Sequence, residues 1–259
     1  MIKSNKANER IGEERLNKQG CLGRIINYID SNNIIVEFQD QYKAKKHTEY
    51  DNFVKGVCKN PYYPSVYGVG MLGIKYSSKE NGKATKEYRT WLNILKRCFD
   101  ERTKDKNPTY KDVTCCEEWL LYENFYEWLH EQENFNKWLK NDEWAIDKDI
   151  LIKGNKVYSP NACCLVPQNV NMLFAKKKSG ILPTGVHKNK QGFQAKCRNP
   201  IIEKYEALGT YRTEKEAFYA YKIYKENIVK QVAQMEYDNG NIIERCYRAM
   251  MEYEVEITD

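Results

Sequence analysis

Gly185-Val186-His187-Lys188, Gly192-Phe193-Gln194-Ala195-Lys196-Cys197-Arg198 and Tyr205-Glu206-Ala207-Leu208-Gly209-Thr210-Tyr211 decide the fold of the C-terminal part of this 259-residue chain. Each run is short, rich in residues that suit a pleated strand, and bounded by Gly or Asn. The middle run alternates with period two. Phe193, Ala195 and Cys197 fall on one face, and Gln194, Lys196 and Arg198 on the other. Immediately after the third run, Thr213 with Glu216 three residues on forms a capping-box signature. Ala217, Ala220, Tyr221 and Tyr224 then recur at helical spacing toward Ala233. The pattern predicts a three-stranded sheet with one face under a helix and the other polar, basic and free of acids.

The charge around this module is localised. From Ile150 to Ile202 there are nine Lys or Arg and no Asp or Glu, while the whole chain carries only +6. The remainder is therefore slightly acidic. An acid-free basic stretch on an otherwise balanced chain is the electrostatic footprint expected for a polyphosphate partner. A solvated basic sheet face is the plainer alternative.

Working outward, the composition, 41% hydrophobic and 30% charged, is globular rather than disordered, and the strand and helix patterns together predict an α+β protein. No run approaches the about 18 apolar residues of a membrane span. Met1–Lys6 lacks the apolar middle of a signal peptide, so a cytoplasmic protein with no membrane partner is expected. Nine cysteines in irregular spacing, with no C-x-x-C, argue against a disulfide framework or a standard zinc site. Most are expected to be buried thiols. A zinc set drawn from Cys98, Cys115 or Cys116, and Cys163 or Cys164 is the remaining metal option.

Upstream, Ile11 to about Gly73 reads as short strands. Cys21–Asp30 and Ile34–Phe38 flank Ser31-Asn32-Asn33 as a hairpin, and further turn signals predict a small β-barrel over residues 1–75. Such barrels are interaction modules, so a protein or nucleoprotein partner is the expectation there. Lys75–Thr85 reads as a linker. Tyr88, Trp91, Leu92, Leu95, Cys98 and Phe99 recur at helical spacing. After the break at Asn107-Pro108 come Trp119, Leu120, Phe125, Trp128 and Leu129, then Phe135 and Trp138. The tryptophans are read as core rather than as a platform for stacking bases. Ile146–Ile152 and Val157–Val166 around Gly154-Asn155 read as a hairpin, and Pro167 as the opening of a helix to about Phe174. Four divisions follow: 1–75, 86–178, 183–235, and a tail from 236 to 259, either acidic helix or loose end.

Gly185-Val186, Phe193, Ala195, Leu208–Tyr211, Thr213, Glu216-Ala217 and Ala220-Tyr221 resemble the APETALA-type DNA-binding domain. The resemblance implies double-stranded DNA as partner. It implies contacts from His187, Gln194, Lys196 and Arg198, with Lys188 and Lys190 as nearby phosphate contacts. Lys176, Lys177 and Lys178 in the preceding basic linker join the candidate binding surface. The family pattern has Arg in place of His187 and Glu in place of Lys196, so its sequence preference does not carry over.

The segment Ile146-Asp147-Lys148-Asp149 with Tyr158–Asn171 resembles the hairpin-then-helix core of phage-type HNH-like endonucleases, in which the APETALA-type domain often follows. Trp91, Arg97-Cys98-Phe99, Cys116–Trp119 and Phe125–Trp128 resemble the segment before that core. The resemblance implies metal-dependent hydrolysis of DNA phosphodiester bonds. Asp147, Lys148 and Asn171 would be the catalytic candidates, with Asp147 and Asp149 sharing Mg²⁺ or Mn²⁺. The family's Asp-His pair is here Asp147-Lys148, and none of the three histidines lies in the motif. The alternative expectation is therefore a non-cutting nucleic-acid-binding protein of a phage or mobile element. It would act as a regulator or as an inhibitor of a host nucleic-acid-targeting defence system.

Overall fold

The computed structural model describes residue 7, residues 9–175 and residues 181–257. The chain is mixed α+β and divides into two compact units, Met1–Leu129 and His130–Asp259. Among the described residues, no helix is long and apolar enough to cross a membrane.

The first unit begins with an antiparallel meander, β1 (Glu14–Leu16), β2 (Leu22–Asp30), β3 (Asn33–Phe38) and β4 (Lys45–Thr48), in that spatial order. The expected β2–β3 hairpin is present, and Asp30 Oδ1 accepts from the Asn32 amide to close its turn. The expected barrel is not. β1 and β4 remain unpaired with each other, so the sheet is open. The physical reason is the short helix α1 (Tyr50–Val54), whose Phe53 joins Ile25, Ile34 and Val36 in the core. An apolar sheet face already covered by a helix has no need of closure.

The segment expected to be a linker holds a two-residue ladder, β5 (Lys79–Glu80) with β6 (Lys83–Ala84). Helix α2 (Lys86–Phe99) follows, capped by Thr85, whose side chain accepts from the Tyr88 amide. Next come α3 (Glu101–Lys106), β7 (Thr114–Cys115) and α4 (Tyr122–His130). Trp91 and Trp119 are fully buried, and the Trp91 indole N–H donates to the Trp119 carbonyl at 2.6 Å. The tryptophans are core, as the helical spacing predicts.

The second unit holds α5 (Phe135–Lys140), β8 (Trp144–Asp147), β9 (Val157–Tyr158), β10 (Cys164–Pro167) and α6 (Gln168–Leu173). β8 pairs antiparallel with β10, placing Asp147 opposite Cys164. The strand–strand–helix order matches expectation, and the chain turns at Lys153-Gly154, where the Asn155 amide donates to the Ile152 carbonyl. The paired strands are shorter than expected: β8 stops at Asp147, and a long connection from residue 148 to 163 that holds β9 leads to β10.

Then β11 (Val186–Asn189), β12 (Gly192–Asn199) and β13 (Lys204–Tyr211) form an antiparallel sheet, followed by α7 (Glu214–Asp238) and α8 (Glu244–Met251). The predicted capping box is complete: the Glu216 amide donates to Thr213 Oγ1 and the Thr213 amide to Glu216 Oε2.

Helix α7 is longer than its signature suggests and serves two cores. Its first half, with Ala217, Phe218 and Tyr221, packs on Val186, Ala195 and Cys197 of the sheet. Its second half, with Ile228, Val229, Val232 and Ala233, packs on Ile150, Cys164, Val166, Val170 and Leu173. The segment after residue 236 is no loose end, because Ile242, Cys246 and Met250 complete that second core and Val255 joins the first. Each buried aliphatic side chain contributes roughly 1.5–3 kcal/mol relative to exposure, so burial in both clusters ties sheet and core to one helix.

Candidate nucleic-acid interface

Register fixes which side chains share the uncovered face of the sheet. Val186 opposes Ala195, both buried, so the neighbouring positions turn outward. His187 opposes Gln194, and Gln194 opposes Thr210 on the far strand. Beyond a bulge after Ala195, Lys196 opposes Ala207 and Arg198 opposes Tyr205. The outward set is thus His187, Asn189, Gln194, Lys196, Arg198, Tyr205, Ala207 and Thr210, and none is acidic. Glu206 points the other way, where its carboxylate accepts from buried Asn199. Tyr205 is 76% exposed beside Arg198.

The cations of this face are not used internally. Among the described residues, neither the Lys196 ammonium nor the Arg198 guanidinium makes a hydrogen bond or an ion pair. A twisted sheet of this width carries a planar row of donors that suits base edges and phosphates in a major groove. Lys188 stands one position out of phase, with its ammonium 5.9 Å from the Phe193 ring centre, and Lys190 lies in the β11–β12 turn. Both are exposed at the rim rather than on the face. Lys176, Lys177 and Lys178 lie outside the described residues.

The corner after β8, which holds Asp147, Lys148 and Asp149, is built differently. Asp147 is buried, and its Oδ1 accepts from the amides of Asp149 and Ile150, both at 2.8 Å. This is an Asx turn that ends β8. The Lys148 ammonium donates to Asp149 Oδ2 at 3.2 Å and to the Asn155 carbonyl at 3.1 Å. Asn155 returns the favour, donating to the carbonyls of Lys148 and Val157. An ammonium held in two donor bonds offers no lone pair to a water molecule, so the residue in the position of the family's base is engaged as a cation. Burial, reinforced by the adjacent Asp149 carboxylate, raises the Asp147 carboxyl to about 6. Asn171 sits half-buried on α6 and bonds to neither Asp147 nor Lys148 among the described residues.

As to a metal, Asp147 and the one-third exposed Asp149 are the two carboxylates this corner offers. No group of three His, Cys, Asp or Glu that could hold an ion occurs among the described residues. All nine cysteines are free thiols, six of them buried. Cys164 lies beside Cys246 in the second core, and its thiol is pushed well up by that neighbour and by burial.

One site residue has no counterpart in the sequence reading. Lys225 on α7 is half-buried, four residues after Tyr221 and three before Ile228, on the stripe of the helix that faces the core. Burial lowers its ammonium below the usual lysine range. A lysine interrupting an otherwise apolar helical stripe is the signal that marks it.

Compared with models of protein families, with curated proteins and with solved structures, the chain matches none.

Proposed function

We propose that the chain binds double-stranded DNA through the uncovered face of the β11–β13 sheet, with Lys196 and Arg198 contacting phosphates or guanine edges and Gln194 reading a base. One observation carries this reading: among the described residues, two strand-borne cations on a face without carboxylates make no hydrogen bond or ion pair. Cations clustered on a face without carboxylates raise the local positive potential, and a polyanion that neutralises them releases its condensed counterions. The test is fluorescence anisotropy with a labelled duplex over a salt series, using wild type and the Lys196→Ala/Arg198→Ala pair. The pair should bind more weakly, with the slope of log K against log salt smaller by about 2. Unchanged affinity and slope reject the face.

A second reading, divalent-metal-dependent cutting at the corner, draws support from the buried Asp147 beside Asp149, since strongly perturbed carboxyls cluster at functional sites. The engagement of Lys148 and Asp147 in turn geometry favours binding without cutting. Incubation of supercoiled plasmid with Mg²⁺ or Mn²⁺ separates the two. Nicking that disappears in Asp149→Asn supports an enzyme; retention of binding without nicking under both metals leaves the binding function alone.

A further inference from the structure

The open end of β12 holds a feature beyond the sheet face. β11 stops covering β12 at the pair Val186–Ala195, where the Lys196 amide still donates to the Gly185 carbonyl at 2.8 Å. From Cys197 onward β12 pairs only with β13. Beside this uncovered edge lies a cleft of about 340 Å³. His187, Lys196 and Arg198 reach it from the sheet and Lys225 from the helix, with Tyr205 and Tyr253 among its aromatic walls. Among the described residues, no Asp or Glu lines it.

The charge of this cleft is uncompensated. Lys225 makes no hydrogen bond or ion pair among the described residues, and the Cys197 thiol nearest it is held in its neutral form by burial. A half-buried ammonium without a partner loses hydration and gains nothing in return. The Lys196 and Arg198 side chains add like-charge repulsion, and low-dielectric walls focus the resulting field. A larger cleft of about 760 Å³ beside Trp144, which Arg198 also lines, differs in charge, so the uncompensated charge rests on Lys225 and Lys196. Glu143, Glu203 and Glu236 line that larger cleft, and its Lys137 is satisfied by the carbonyls of Asn239 and Gly240.

We propose that the Lys225 cleft is a phosphate-binding site, taking a phosphate group of a nucleotide unit between Lys225, Lys196 and Arg198 with the attached sugar or base against Tyr205 and Tyr253. The phosphate belongs either to a bound strand or to a free nucleotide. The first source rests on the DNA-binding reading, and the second does not.

Calorimetric titration of the full chain with inorganic pyrophosphate at constant ionic strength tests the site without DNA. Wild type should bind, Lys225→Arg should stay within about threefold, and Lys225→Gln should bind at least about tenfold more weakly. Lys225→Gln should also melt no lower than wild type without ligand, because it removes an unpaired buried charge. Lys83→Gln, in the exposed β5–β6 ladder, serves as the control and should leave the affinity unchanged.

Duplex DNA and deoxyadenosine monophosphate then distinguish the sources. Competition of pyrophosphate with the duplex, together with weaker duplex binding by Lys225→Gln, assigns the site to a strand phosphate. Monophosphate binding that Lys225→Gln abolishes, with duplex affinity untouched, assigns it to a free nucleotide. Absence of pyrophosphate binding by wild type, or equal binding by Lys225→Gln, overturns the proposal. Duplex binding that persists in that case leaves the sheet-face reading intact.

Discussion

The corner after β8 and the open face of the β11–β13 sheet are both rich in charged side chains, yet their polar groups are used in opposite ways. At the corner, Asp147, Lys148, Asp149 and Asn155 satisfy one another and the loop backbone. On the sheet and its cleft, Lys196, Arg198 and Lys225 are satisfied by nothing within the described residues. A polar cluster that closes on itself specifies a turn. One left open carries unspent interaction energy, which a ligand of opposite charge can release. The comparison teaches that residue type alone does not tell the two apart, and each can be challenged by substitution.

The largest effect is expected at the corner. Asp147→Ala removes the acceptor of two amides and leaves the Asp149 and Ile150 N–H groups without it. At about 1–3 kcal/mol for each orphaned buried group, discounted for partial hydration, a loss of about 3 kcal/mol is expected in chemical denaturation. If Asp147→Ala instead kept native stability, the corner would no longer be a structural device and the comparison would break. On the sheet, Lys196→Ala with Arg198→Ala should leave stability within about 0.5 kcal/mol. The same pair should reduce duplex affinity about tenfold to a hundredfold near physiological salt. A pair that unfolds the protein would show that these cations are structural after all.

Acid titration sharpens the corner further. The Asp147 carboxyl titrates near 6 in the folded protein and near 4 in the unfolded chain. Between those values the folded state binds the extra proton, so this group's contribution to stability is present below about pH 4 and is lost as pH rises to about 6. Asp147→Asn keeps the amide-accepting oxygen and cannot titrate. Relative to wild type it should gain about 1–2 kcal/mol between pH 4 and pH 7, read from paired denaturation curves. A constant difference across that range would mean that Asp147 ionises without cost in the fold.

Much of the second unit was legible from local chemistry. Strands β11 to β13 fall within a residue or two of the runs read from Gly, Asn and β-branched punctuation, and the Thr213–Glu216 box begins α7 where its spacing says. Alternation along β12 assigned faces correctly because one side is buried and register errors would reverse it. What stayed hidden is tertiary. The β-rich N-terminal run gives no indication that Phe53 would cover the sheet and leave it open. The apolar run Ile150–Ile152 reads as strand, but the Asp147 side chain captures the next amides and turns the chain first. Local pattern alone does not single out Lys225 as a site residue, because the other basic residues of its cleft come from strands some thirty residues away in sequence.

The smallest expected effect tests the element that the two regions share. Thr213→Ala deletes the side-chain acceptor of the Glu216 amide and should cost about 1 kcal/mol. That cost should appear in unfolding and not in duplex affinity, because the cap fixes where α7 starts while Ala217, Phe218 and Tyr221 fix how the sheet sits on it. The helix also carries Lys225 three turns on, and its second half anchors the core beneath the corner. A fall in duplex or pyrophosphate affinity larger than the fall in stability would mean that fraying at Thr213 reaches Lys225. The open, charge-bearing region would then be held in place by the same cooperative unit as the closed one, and the two could not be varied independently.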